Sequence, residues 1–175
     1  YSVRTGHPRL LMRPESDRDT LLVSLGDIQR RGGDPRFERF RRRLHRTLPN
    51  LAMRALAYGD DAAADSAITG LLAPTEFEGV TWDGIRVIVK ACTFDWLYGH
   101  PRFSEAQKSA VVDQLLADGR RLNEMLSNGS HIFHTRMYGW TTGLAAAGYA
   151  LHGHHEGADE LIAFADAFYR KFLVH

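Results

Sequence analysis

Helix start and stop signals recur along the whole chain, whereas patterns typical of β-strands are weak everywhere. Ser104 and Gln107 form a capping box, in which each side chain satisfies a backbone N–H at the start of a helix. Asp34 followed by Pro35 is also typical of a helix start, because proline lacks the N–H that a first turn leaves unpaired. The sequence therefore predicts an all-α fold.

Apolar residues that recur on one helical face define the predicted helices. The first runs from Pro35 to Leu48, where Pro49 ends or kinks it, and Asn50 caps the second. The later elements are a helix from Asp61 to Leu72, a loop from Pro74 to Val80, a helix from Trp82 to Tyr98 capped by Thr81, a helix after Ser104, a helix from Phe133 to His152, and a last helix through Leu161 to Phe172. The helix from Phe133 is rich in Gly and Ala, which allows close approach of another backbone.

Three predicted helix ends share a pattern of an aromatic or apolar pair, a glycine and then polar residues. They are Ala57-Tyr58-Gly59-Asp60, Leu97-Tyr98-Gly99-His100 and Leu151-His152-Gly153-His154. The glycines are 40 and 54 positions apart, which is about the length of a helical hairpin with its loops. The pattern predicts an array of stacked hairpins with left-handed glycines at the helix ends. The alternative is coincidence, because glycine ends many helices.

The charge balance bears on the class of partner. The 22 Lys and Arg against 21 Asp and Glu give a formal net charge of +1, without the basic excess of a protein that coats nucleic acid. The same balance gives no basis for capture by an anionic membrane, and no apolar run reaches the roughly 18 residues of a membrane span. We therefore predict neither a nucleic-acid partner nor a membrane partner.

The 175 residues are predicted to form a single α-helical domain, at a length that can bury a sizeable core. The only cysteine, Cys92, lies in an apolar run, which predicts a buried, inert thiol and excludes an intrachain disulfide. The chain opens on Tyr1 without an initiating Met and stops at His175 in an apolar helical pattern. We expect it to be the N-terminal part of a longer chain.

The segment 128–138 gathers the most polar chemistry in the chain, where a loop enters the Gly- and Ala-rich helix. His131 and His134 share a face if the helix starts early, Tyr138 follows four residues later, and Arg136 can form a forked contact with a carboxylate. A helix N-terminus also offers free N–H groups to an anion. The alternative is that the histidines cap the helix and pack against its neighbours.

Other polar clusters give weaker predictions. His152, His154, His155 and Glu156 have the composition of a metal site, but they fall on a helix end where exposed histidines need no ligand. His131 and His134 lack an evident third ligand, so no metal or other cofactor is predicted. The carboxylates singled out, for which no pairing can be inferred, are Asp83, Asp95 and Glu124.

Three sequence motifs, in order along the chain, resemble the heparinase II/III-like and alginate-lyase-like polysaccharide lyases. The first is Gly6-His7-Pro8-Arg9-Leu10-Leu11, and the second is Phe94-Asp95-Trp96-Leu97-Tyr98 followed by Phe103-Ser104-Glu105. The third is Phe133-His134 leading into Trp140 and the small-residue run from Gly143 to Leu151. Together the three motifs span nearly the whole chain.

The resemblance implies an (α/α) toroid of helical hairpins, present here in whole or in part. In such families a β-sandwich domain follows the toroid. It also implies a periplasmic or secreted enzyme that cleaves an acidic, uronic-acid-containing polysaccharide by β-elimination. In that reaction one group neutralises the sugar carboxylate, a base removes the C5 proton and an acid protonates the leaving oxygen. If only part of the toroid is present, exposed apolar faces favour self-association.

Residue roles implied by the resemblance centre on the third motif. His134 is the first candidate for neutralising the carboxylate, His131 is the second, and Tyr138 is a further catalytic candidate. Candidate substrate-binding residues are Asn128, Arg136 and Trp140. The Asn that family members place beside the histidine is missing here, so two alternatives stay open: a carbohydrate-binding toroid without catalysis, and a helical-repeat scaffold for a protein partner.

Overall fold

The computed structural model describes residues 6–8, 10–12, 23–44, 46–128 and 135–172. Within these ranges the chain forms helices and no strand, which confirms the all-α prediction. The elements are α1 (Leu25–Gly32), a 3-10 turn (Pro35–Phe37), α2 (Glu38–Arg41), α3 (Leu48–Tyr58), α4 (Asp61–Leu72), α5 (Thr81–Leu97), α6 (Glu105–Ser127), α7 (Thr135–Leu151) and α8 (Gly157–Phe172). No helix in the described part of the chain is long and apolar enough to cross a bilayer.

The predicted helix from Pro35 to Leu48 is wrong. Asp34 does cap the turn that begins at Pro35, but the helix that follows ends at Arg41. A new helix, α3, begins at Leu48 with Pro49 in its first turn, where proline is tolerated, so Pro49 starts a helix rather than ending one. Thr47, and not Asn50, is the N-terminal flanking residue of α3.

The later helices agree closely with their predicted bounds. Helix α4 runs from Asp61 to Leu72 as predicted, and the Ser104–Gln107 capping box is present at the start of α6. Helix α5 begins one residue earlier than predicted, at Thr81. Gly59 and Gly153 adopt left-handed backbone conformations, with φ of 64° and 80°, as the repeat predicted. Gly99 is not among the residues with positive φ, so the helix-end prediction is wrong there.

The six longer helices from α3 to α8 pack as two layers. Helices α3, α5 and α7 contact one another in sequence to form the first layer, and α4, α6 and α8 form the second. Each hairpin joins the layers in antiparallel fashion: Leu48 at the start of α3 lies against Gly70 near the end of α4, and Gly148 near the end of α7 lies against Ile162 of α8. The core lies between these layers.

Helices α5 and α7 run parallel and approach very closely near their first turns. A Cβ placed on Gly84 of α5 would stand 2.7 Å from the backbone nitrogen of Trp140 in α7. A Cβ on Gly143 of α7 would likewise stand 2.7 Å from the carbonyl oxygen of Gly84. The backbones therefore meet where neither helix carries a side chain, and this is the close approach that the small residues of α7 predicted.

Cys92 is buried, as predicted, with 5% of its surface exposed. Burial, together with the nearby Asp95 carboxylate, raises the pKa of the thiol to about 12. Since the thiolate is the reactive form, this environment keeps Cys92 unreactive at neutral pH.

Candidate functional site

One face of α7 is open to solvent. Thr135, Tyr138 and Thr142 are exposed, and Ala145 and Tyr149 farther along the helix are half-buried. Their spacing of three or four residues places all five on one side of the helix. The Tyr138 side chain is 56% exposed, which is unusual for a large aromatic residue on a helix of a packed layer.

Helix α5 presents a second exposed aromatic side chain at the same end of the layer. Trp82, the second residue of α5, is 65% exposed. The Thr81 and Thr135 hydroxyl oxygens are 3.5 Å apart, so the first turns of α5 and α7 lie side by side. We call the surface formed by Trp82, Tyr138 and Thr142 the aromatic face. Exposed apolar surface of this kind is typical of a ligand groove or an interface.

Several sequence-predicted site residues fall at this end of the molecule. Asn128 is the exposed C-terminal flanking residue of α6, and Arg136 is half-buried in the first turn of α7, two residues before Tyr138 and so on a different side of the helix. His131 and His134 lie outside the described residues, so their roles stay predictions.

Trp140 occupies a different environment from the one that substrate binding requires. Its side chain is 3% exposed, and its indole Nε1–H donates a 2.8 Å hydrogen bond to the carbonyl oxygen of Val80. The ring therefore packs in the core and holds the end of the loop that precedes α5. Trp140 therefore has a structural role next to the aromatic face, and its buried ring is not part of that surface.

The loop from Pro74 to Val80 is anchored to both layers by buried polar groups. Lys90 of α5 and Gln114 of α6 both donate to the carbonyl oxygen of Ala73, at 2.5 and 2.8 Å. The Thr75 hydroxyl donates a 2.5 Å hydrogen bond to the Asp118 carboxylate on α6. Lys90 and Asp118 are both about 6% exposed. These contacts fix the loop that borders the aromatic face.

The two buried charges of this anchor have perturbed pKa values. Burial raises the pKa of Asp118, and the Thr75 hydrogen bond and the Lys90 ammonium oppose this rise without cancelling it. Burial also lowers the pKa of Lys90, an effect that the Asp118 charge opposes. In both cases desolvation of the charged form is the dominant cause.

Replacing Asp118 with Asn is expected to change how stability depends on pH. A raised folded pKa means that the Asp118 carboxyl stabilises the fold below its unfolded value of 3.8, and that this contribution is lost as pH rises through the folded value. The free energy of unfolding of Asp118→Asn minus that of wild type should therefore increase as pH rises from about 4 to about 7. Urea denaturation at several pH values measures this difference.

The matched control is Asp113→Asn, which makes the same change at an exposed position of α6. The change with pH should be larger for Asp118→Asn than for this substitution at an exposed position. A difference for Asp118→Asn that is flat, or that shrinks with pH, would contradict the assigned environment of this carboxyl.

A second polar cluster lies at the other end of α5, where the N-terminal segment docks. The Asp95 carboxylate, fully buried, accepts a hydrogen bond from His7 Nδ1 through one oxygen. Its other oxygen accepts a 2.7 Å hydrogen bond from the Leu10 N–H. The Trp96 indole N–H donates to the Leu10 carbonyl oxygen at 2.8 Å. The first resemblance motif is thus fastened to the second.

His154, in the turn between α7 and α8, completes this cluster. Its Nε2 lies 2.6 Å from His7 Nε2, and its Nδ1 lies 3.3 Å from the Tyr98 hydroxyl. The His7 ring stacks on Tyr98 with centroids 4.2 Å apart. We call His7, Asp95, Tyr98 and His154 the histidine clasp. It joins the N-terminal segment, the end of α5 and the end of α7.

The other histidines of this turn do not join the clasp. His152 Nδ1 pairs with Asp159 at 2.8 Å, and His155 Nδ1 accepts a 2.9 Å hydrogen bond from the Gly157 N–H. The His152-to-Glu156 cluster therefore disperses among separate partners. Across the described ranges, no group of three or more His, Cys, Asp or Glu side chains is arranged to hold a metal ion.

The three carboxylates singled out from the sequence are also engaged separately. Asp83 and Asp95 lie at opposite ends of α5, each fully buried. Glu124 is exposed and pairs with Arg121 on the same helix at 3.0 Å. They form no pair of acid and base.

Sequence reasoning did not identify Trp82 or the histidine clasp as candidate features. For Trp82 the available signal was its position at the first turn of a buried helix, on the side away from the apolar residues. The clasp had no local signal, because His7 and His154 are 147 positions apart.

Comparisons with known protein families, curated proteins and solved structures find no match to this chain.

Proposed function

We propose that this chain is the helical toroid part of a lyase that cleaves uronic-acid-containing polysaccharide by β-elimination. The observation that carries the proposal is the aromatic face, where Trp82 and Tyr138 stand exposed at the same end of two parallel helices. Flat aromatic side chains suit the apolar faces of sugar rings, and Thr142, one turn beyond Tyr138, offers a hydroxyl to the sugar. Asn128 at the end of α6 is a further proposed polar contact. The two-layer hairpin packing is compatible with a toroid.

The proposed roles follow from the chemistry of elimination at a uronate. Charge develops on the sugar carboxylate when C5 loses its proton, so a cationic or hydrogen-bonding group beside it lowers the barrier. His134 is the first candidate for this role and His131 the second, with Arg136 as a further contact. The Tyr138 phenol, exposed on the aromatic face, is the proposed proton-transfer group.

The test begins with binding of uronate oligosaccharides to the purified protein, measured by calorimetry. We expect Trp82→Ala to weaken binding about tenfold or more, because a stacking aromatic contributes more than about 1 kcal/mol. The matched control is Tyr169→Ala, which removes an aromatic side chain of similar exposure, 52%, from α8 in the second layer. Equal effects of the two substitutions, or no binding by the wild type, would contradict the proposed face.

Catalysis is tested separately by the ultraviolet absorbance of the unsaturated uronate product. His134→Ala and Tyr138→Phe should abolish product formation, while Tyr138→Phe retains binding because the aromatic ring is kept. Binding without elimination in the wild type would instead favour the alternative, a carbohydrate-binding toroid without catalysis. Saturable binding of a protein and none of any polysaccharide would favour the scaffold alternative.

A further inference from the structure

We propose that the cavity between α1 and α3 binds a small amphiphilic carboxylate, a molecule with an apolar body and one carboxylate head. The cavity is lined by residues of both helices, and neither Trp82 nor Tyr138 is among them. The proposal is therefore independent of the lyase function and concerns a different part of the molecule.

The walls of the cavity suit the apolar body of such a ligand. Ile28 of α1 and Met53 and Ala57 of α3 line the cavity, together with Val23 just before α1. The cavity volume is about 230 Å³. Since an apolar cavity of roughly 150 Å³ already binds benzene, this one has room for about ten non-hydrogen atoms.

Backbone packing of the two helices defines one end of the cavity. A Cβ placed on Gly32, the last residue of α1, would stand 2.3 Å from the carbonyl oxygen of Ala57 in α3. The two backbones therefore touch at these residues, and both residues line the cavity. This contact sets the separation of α1 and α3, so the space beside it depends on backbone positions as well as on side chains.

An arginine side chain is placed to bind the carboxylate head. Arg31 lines the cavity and is exposed, and within the described part of the chain no carboxylate pairs with it. Tyr58 also lines the cavity, and the Arg41 guanidinium lies 5.1 Å from the centre of its ring. A guanidinium presents two parallel N–H groups to a carboxylate, which gives the contact a defined geometry.

One carboxylate of the protein also lines the cavity, but a neighbouring arginine balances its charge. Asp27 accepts hydrogen bonds from the N–H and the hydroxyl of Ser24, at 3.2 and 3.0 Å, and pairs with Arg30. With Asp27 and Arg30 opposed, Arg31 leaves the lining with a positive charge.

The arginine-rich segment around Arg31 adds to this positive charge. Residues 30–46 hold eight arginines, all exposed, against the two carboxylates of Asp34 and Glu38. The segment thus carries a net charge of +6, and since the whole chain carries +1, the remaining residues carry −5. A local excess of this size attracts anions to the cavity and disfavours cationic amphiphiles.

Calorimetry with octanoate tests the proposal, because octanoate combines a carboxylate with an apolar chain of the size that the cavity accepts. Octanamide is the matched ligand, since it keeps the chain and replaces the carboxylate with a neutral amide. We expect the protein to bind octanoate about fivefold or more tightly than octanamide, because the amide loses the charge-assisted hydrogen bonds.

Arg31→Gln should remove this preference, so that the two ligands bind with similar affinity. The matched control is Arg43→Gln, which removes the same charge from an exposed arginine that does not line the cavity. The control should keep most of the preference. Equal losses in the two variants would mean that the segment attracts anions without a contact at Arg31, and would overturn the proposed site.

Filling the cavity tests the place of the apolar body. Ala57→Leu should weaken the binding of octanoate and octanamide alike, by about tenfold, because the added carbons take the space of the ligand chain. Ala163→Leu makes the same change at an exposed position of α8 and should leave both affinities unchanged. Equal effects of the two substitutions would contradict binding between α1 and α3.

Methionine methyl resonances locate the ligand in the wild type, so the proposal stays falsifiable if Ala57→Leu does not fold. Octanoate should shift the methyl resonance of Met53, which lines the cavity, and leave those of Met125 in α6 and Met137 in α7 in place. The proposal is overturned if octanoate does not bind, if octanamide binds equally well, or if Met53 does not respond. A Met53 shift that depends on protein concentration without any ligand would mean that a second copy of the chain occupies the cavity, and would overturn it as well.

Discussion

Replacing Gly84 with alanine is expected to destabilise the protein by about 3 kcal/mol or more, since the added methyl has no space between two backbones. A Cβ at this position meets the carbonyl group of Gly139 and stands 2.7 Å from the Trp140 nitrogen. These are helix backbone atoms, which cannot rotate away as a side chain can. Relief requires α5 and α7 to separate, which would disturb a close-packed core in which Val87 of α5 and Leu144 of α7 are completely buried.

Urea denaturation followed by far-ultraviolet circular dichroism measures this loss. The matched control is Gly33→Ala at the end of α1, where a Cβ would meet nothing within 4 Å and φ is −79°. That substitution should be neutral or stabilising by about 0.4–1 kcal/mol, because alanine reduces the freedom of the unfolded chain. Similar losses at Gly33 and Gly84 would show that the α5–α7 contact is not close.

The close helix pair shows what the sequence can predict about the fold. The Gly- and Ala-rich composition of α7 predicted a close backbone approach, because small residues leave room for one. Nothing local in α5 identified Gly84 as the partner, since a single glycine inside an apolar helix has many explanations. The capacity of α7 for close backbone approach was predictable from its composition. Which helix packs against it is decided by tertiary packing.

Helix bounds were predictable where a cap or a turn acts locally. Ser104 and Gln107 satisfy each other's backbone groups within one turn, so the start of α6 follows from four residues. The region from Arg41 to Leu48 was mispredicted because its apolar spacing fits one helix. The buried Leu44 lies in the break between α2 and α3, so its burial comes from tertiary contacts rather than from a continuous helical face.

The candidate site likewise contains one residue whose exposure agrees with its predicted role and one whose environment was not predictable. Tyr138 was found from the polar residues around the start of α7, and its exposure agrees with a role at a surface. Trp140 was chosen from the third resemblance motif, yet its indole N–H is taken by the carbonyl oxygen of Val80, a partner 60 positions away. Residue type and position in a helix do not reveal which side of that helix the other layer covers.

Parallel packing of α5 and α7 separates the aromatic face from the histidine clasp along one pair of helices. The aromatic face lies where these helices begin, and the histidine clasp lies where they end. The glycine contact near Gly84 holds the beginning of the pair independently of His7 and His154.

Replacing Asp83 with alanine is the second change expected to have a large effect, with a loss of about 3 kcal/mol of stability. The Asp83 carboxylate is fully buried and accepts the N–H groups of Glu78 and Val80, at 3.0 and 2.8 Å. It also accepts a 3.0 Å hydrogen bond from the Arg86 guanidinium. Alanine leaves two loop N–H groups and a cation without this acceptor, so the loop loses its attachment to the first turn of α5 while its bonds to Lys90, Gln114 and Asp118 remain.

Gln107→Ala makes a matched control, because Gln107 occupies the third position of α6 as Asp83 does in α5. Its side chain accepts the Ser104 N–H at an exposed helix start, so its loss should cost only about 0.5 kcal/mol. Urea denaturation compares the two losses, and the Trp140 indole resonance reports whether the Val80 carbonyl is still in place. A loss for Asp83→Ala no larger than for Gln107→Ala, with the Trp140 resonance unmoved, would mean that the loop is held without Asp83. A large loss with a shifted Trp140 resonance would establish this carboxylate as the group that positions the border of the aromatic face.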